Sequence, residues 1–69
     1  DGVSRAKQHL QGGKLREALE LAKAELFDNP ANTEALYIQA VAQRYLRQPK
    51  QALESLEKLK VYEPGYARA

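Results

Sequence analysis

Leu15, Ala18, Leu19, Ala22 and Leu26 recur at three-, four- and seven-residue steps. That spacing gathers apolar side chains on one face of a 3.6-residue helix. The run around them, KLREALELAKAELF, is built from strong helix formers and has no β-branched residue to oppose them. It ends at Asp28-Asn29-Pro30, because Pro30 has no amide hydrogen and biases Asn29 out of the helical region. Upstream, Val3 to Gln11 reads as a shorter helix cut by Gly12-Gly13. Downstream, Asn32 or Thr33 can cap a third helix, with Glu34 in the first turn where negative charge meets free amide groups. This helix is expected to run to about Leu46. Pro49 reads as the first residue of a fourth, a position where its fixed φ costs no hydrogen bond. Ala52, Leu53, Leu56 and Leu59 supply its expected inner face, and Glu63-Pro64-Gly65 closes it. The chain then restarts at Tyr66 as the opening of a fifth helix. Short linkers imply antiparallel neighbours, and no useful stretch alternates with period two. The expected class is therefore all-α, in one small domain.

The helices also repeat. Ala18 and Ala52, Leu19 and Leu53, Glu20 and Glu54, and Pro30 and Pro64 are each 34 positions apart. EALELAKAELFDNPANTEA thus returns as QALESLEKLKVYEPGYARA, with the proline as punctuation between units. A period of about 34 with two helices per unit is the spacing of the tetratricopeptide repeat, and the chain resembles that family throughout its length. The resemblance implies antiparallel helix pairs stacked as a short superhelix. Repeat one would span residues 1–32, repeat two 33–66, and 67–69 would begin a further helix. It places the small packing residues of the first helices at Ala6 and Ala40, and the glycine of the intra-repeat turn at Gly13. It also places the small residues opening the second helices at Ala18 and Ala52, the large early residue at Leu36, and the closing prolines at Pro30 and Pro64. The chain departs from the pattern where Arg47 replaces the turn glycine of repeat two and where Gly2 replaces a large residue. Further departures are Arg5 and Gln39 at positions usually leucine, and Glu25 at a small-residue position. Leu19, Leu26, Leu36, Leu53 and Leu56 are expected to be mostly buried.

Length and charge narrow the function. A chain of 69 residues buries only about 60% of its unfolded surface, so the core is thin. With no cysteine there is no disulfide or thiolate site, and the compartment stays open. Eleven basic and nine acidic residues give +2, an ordinary balance that makes no case for nucleic acid. No apolar run approaches the roughly 20 residues needed to cross a membrane, so a soluble chain is expected. The start at Asp1 without methionine and the unfinished fifth helix suggest a fragment of a longer array. In that case the apolar side of the fourth helix, around Leu56, Leu59 and Val61, would lack its cover and invite self-association.

No constellation for catalysis emerges, and no cofactor is expected. His9 is the only histidine and has no partner at ligand spacing. Ser4 and Ser55 stand beside no base, and the Ser55 hydroxyl is expected to face outward. Glu20 with Lys23, and Glu54 with Lys58, read as solvated helix pairs. Tyrosine is more informative, since Tyr37, Tyr45, Tyr62 and Tyr66 all lie in the second half. By the resemblance, a concave groove formed by the first helices would include Val3, Lys7, Leu10, Gln11, Glu34, Tyr37, Val41, Arg44, Tyr45 and Arg68. Tyrosine and arginine are common anchors of protein contacts. Lys7 and Val41 stand where the family's clamp for a peptide's terminal carboxylate has asparagine, so that specificity is not expected. The leading expectation is a non-catalytic scaffold for a protein or peptide. The alternative is an accessory repeat region of a larger enzyme, in the style of repeats preceding bacterial sulfotransferase-like domains.

Overall fold

The computed structural model describes residues 2–62. Four helices run in order: α1 Gly2–Gln11, α2 Leu15–Asp28, α3 Thr33–Tyr45 and α4 Pro49–Tyr62. Glu63, Pro64 and the expected fifth helix, including Arg68, lie outside the described residues.

The end of α2 and the starts of α3 and α4 have chemical causes. Asn29 donates its amide to the Glu25 carbonyl at 2.9 Å and, through its side chain, accepts from the Ala31 amide at 3.3 Å. The chain thus leaves α2 and turns in two residues. Asn32, rather than Thr33, caps α3, its side-chain oxygen accepting from the Ala35 amide at 3.2 Å. Pro49 opens α4.

The α1–α2 and α3–α4 turns are the same object, displaced by 34 positions. Gly13 donates to the Leu10 carbonyl at 3.2 Å and Lys14 to that of His9 at 2.8 Å. Arg47 donates to the Arg44 carbonyl at 3.2 Å and Gln48 to that of Gln43 at 2.8 Å. Both pairs of bonds close a Schellman motif, whose hinge residue must adopt positive φ. Gly13 has φ 80° and Arg47 φ 62°. Arg47 therefore holds the glycine conformation without being glycine.

Each helix packs on its successor and α1 also packs on α3, while α4 touches only α3 among the described helices. This is the neighbour pattern of an alpha–alpha repeat, and the architecture is all-α. Ala6, Ala18, Ala22 and Ile38 form the centre, with Val3, Leu10 and Leu21 packed against them. Alanine at these crossings lets three helix backbones approach one another. Because α3 is sandwiched, it is buried on most sides, at Ala35, Leu36, Ile38, Ala40, Ala42 and Gln43.

Three expectations about packing are overturned. Leu53 is 59% and Leu56 38% exposed, not buried. Their counterparts 34 positions earlier, Leu19 and Ala22, are buried because α3 lies over α2. No described helix lies over the corresponding side of α4. Second, the inner stripe of α4 is Ala52, Ser55 and Leu59, so Ser55 points inward and is 2% exposed. Third, the Glu20–Lys23 and Glu54–Lys58 pairs do not close; the ion pair found among the described residues is Lys7–Glu34. Leu19 and Leu36 are buried and Leu26 is partly covered, so these three leucines do not depart from the expectation.

Two departures from the repeat pattern meet in space. A side chain on Gly2 would run into the carboxyl group of Glu25. In repeat two the same positions hold Leu36 and Leu59, both almost fully buried. Glycine in α1 thus makes room for a carboxylate from α2, near the N-terminal end of α1, where no described residue of the first turn is acidic. Negative charge is favourable there.

Candidate functional site

The face expected to bind a partner is formed by α1 and α3. Tyr37, Val41, Arg44 and Tyr45 follow one another at helical spacing along α3. Tyr45 is 67% exposed and Tyr37 44%. Arg44 is exposed, and Val41 is half-buried between the face and the core. Of the α1 residues expected in the groove, Val3 and Leu10 are drawn into the core cluster, and Lys7 and Gln11 stay exposed. Lys7 Nζ lies 3.2 Å from Glu34 Oε2, with both side chains about half exposed. An exposed pair of this kind contributes roughly 0–1 kcal/mol. Its structural effect is to tie the two first helices together and to leave Lys7 already partnered. Among the described residues expected on this face, the cation outside an ion pair is Arg44, next to Tyr45 in the chain.

The packing residues are placed as follows. Ala6, Ala18, Leu36, Ala40 and Ala52 are buried at helix contacts. Gly13 forms the α1–α2 hinge with open space around its Cα, and Pro30 is exposed between α2 and α3. Arg68 and Pro64 are not among the described residues.

Sequence reasoning missed a polar network in the α3–α4 seam. Gln39 donates its side-chain amide to Ser55 Oγ at 2.8 Å, and the Ser55 hydroxyl donates to Gln43 Oε1 at 2.8 Å. The Gln51 carbonyl is a second acceptor for that hydroxyl at 3.1 Å. No buried side-chain polar atom of the described residues lacks a partner. The signal was present: Ser55 stands three positions after Ala52 and four before Leu59, and Gln39 and Gln43 are one helical turn apart. A polar residue in an apolar stripe, opposite two glutamines, reads as a seam bond rather than as a surface hydroxyl.

Three clefts of about 360–370 Å³ lie away from the α1–α3 face. One brings His9 beside Arg16, Glu17, Glu20 and Leu21. Among the described residues no group of three histidines or carboxylates is arranged to hold a metal ion. A second cleft runs between the C-terminal halves of α2 and α4, above Leu36. No described helix is long and apolar enough to cross a membrane. Compared with protein-family models, curated proteins and solved structures, the chain gives no significant match.

Proposed function

We propose that this chain is a tetratricopeptide-type repeat that serves as a non-catalytic scaffold, binding a peptide or partner surface through the α1–α3 face. The observation that carries the reading is the 34-position displacement common to sequence and backbone. Helix α2 begins at Leu15 and α4 at Pro49, a shift of 34, and the two Schellman turns shift by the same amount. The exposed Tyr37, Arg44 and Tyr45 supply rigid aromatic area and a planar donor group, the residue types enriched at binding hot spots.

The test is an NMR titration of the isotope-labelled chain with a library of short peptides. Binding through this face moves the resonances of Tyr37, Val41, Arg44 and Tyr45 together. Tyr45→Ala weakens the bound peptide, by about tenfold for an anchor residue. Peptides that bind while leaving these four resonances in place would count against the reading.

A further inference from the structure

The cleft between α2 and α4 differs chemically from the α1–α3 face. Helices α2 and α4 do not pack on each other; α3 separates them and forms the floor of the gap at Leu36. The walls are Leu26 and Phe27 from the last turn of α2 and Tyr62 from the end of α4. Phe27 is 89% exposed and Tyr62 48%. A phenylalanine so exposed leaves a large apolar area in water, and covering it is favourable at about 25 cal/mol per Å².

Among the described residues the charge on the walls is of one sign. Lys23 on α2 and Lys58 on α4 line the cleft, and no described carboxylate does. Neither lysine is held in an ion pair among the described residues, since Glu20 and Glu54 do not reach them. The C-terminal end of α2 bears partial negative charge, but that effect fades within one turn. Lys23 stands five residues before that end, so its ammonium group sets the sign there.

The volume decides the size of the occupant. About 370 Å³, at the low end for a ligand pocket, takes one or two side chains rather than the face of a folded domain. From these features we infer that the cleft docks a short linear peptide in which a large apolar side chain is flanked by carboxylates. The apolar group seats on Leu36 between Phe27 and Tyr62, and the carboxylates meet Lys23 and Lys58. A polyanion without apolar groups would gain only the two lysines, and a basic peptide would meet repulsion.

The experiment uses the full chain and three short peptides: leucine and glutamate, leucine and glutamine, and leucine and lysine in the same arrangement. NMR titration at low salt reads both the affinity and the site. The glutamate peptide is expected to move the resonances of Leu26, Phe27 and Tyr62, and to lose affinity with added salt. The double variant Lys23→Glu/Lys58→Glu, at exposed positions and checked for retained helicity, should weaken that peptide by about tenfold or more and favour the lysine peptide instead. Tyr37→Ala on the other face should leave the affinity unchanged, which separates this surface from the α1–α3 face. The inference is overturned if the three peptides bind alike, if the shifts gather on Tyr37 to Tyr45, or if charge reversal has no effect. It is equally overturned if Lys23→Glu alone moves the resonances of residues 63–69 in the free protein, which would make the chain's own end the occupant.

Discussion

Arg47 adopts a backbone conformation, φ 62°, that L-residues other than glycine avoid because Cβ approaches the following carbonyl. The two hydrogen bonds of the Schellman turn hold it there, with the same lengths as those around Gly13. Arg47→Gly is therefore expected to raise stability by about 0.5–1 kcal/mol: relief of roughly 1–2 kcal/mol of strain, partly offset by the freer unfolded chain. The converse, Gly13→Ala, should cost a similar amount through φ alone, because nothing lies within 4 Å of the added methyl. Urea midpoints of the two variants check both signs. Gly2 and Glu25 make a second residue-scale case. Each departs from the repeat pattern, and the two meet where repeat two has Leu36 and Leu59. Gly2→Leu alone must displace the Glu25 side chain, whereas Gly2→Leu with Glu25→Ala offers the leucine the vacated space. A double-mutant cycle is expected to show a favourable coupling of about 0.5–2 kcal/mol, as for residues in contact. Additive effects within about 0.3 kcal/mol would show that the two positions are independent.

Among the elements, hydrophobic spacing located all four helices, because the prolines, the Gly12-Gly13 pair and Asn32 punctuate them chemically. Spacing was a poor guide to which side of α4 faces in. Leucines at 53, 56 and 59 look like one stripe, yet Leu53 lies about a third of a turn and Leu56 about a fifth of a turn from the centre of the seam occupied by Ala52, Ser55 and Leu59. Hydropathy alone ranks a serine last for that seam, so the two glutamines opposite were needed to see it. The α1–α3 face was legible as a spacing of exposed residue types, whereas the Lys7–Glu34 bridge was not, because it joins two helices distant in sequence. The Ser55 network has a measurable weight. Ser55→Ala leaves the Gln43 side chain, only 6% exposed, without its donor and should destabilise the chain by about 1–3 kcal/mol. Replacing all three groups together, with Gln39→Leu, Gln43→Leu and Ser55→Ala, removes the unsatisfied atoms and should recover most of that loss. A triple variant as unstable as Ser55→Ala would mean the seam depends on its shape rather than on its polarity.

For the whole molecule, the stacking of one pair on the next decides which leucines are covered. Helix α3 touches α1, α2 and α4, so it buries Leu19 and Ala22 of α2 while its own far side is closed by α4. The equivalent side of α4 presents Leu53 and Leu56 to solvent, with Val61 77% exposed further along the same helix. A small domain has little core to spare, so covering two leucines matters more here than in a larger protein. Two copies meeting through α4 would bury both leucines from each chain, and this association is the expected outcome at high concentration. Sedimentation equilibrium should show a reversible shift to a larger species, and the urea midpoint should rise with protein concentration. Leu53→Glu/Leu56→Glu should return the chain to the monomer without loss of helicity, because both side chains stand outside the seam in the isolated copy. A wild-type chain that stays monomeric, with a urea midpoint independent of concentration, would leave the α4 face to a partner other than itself.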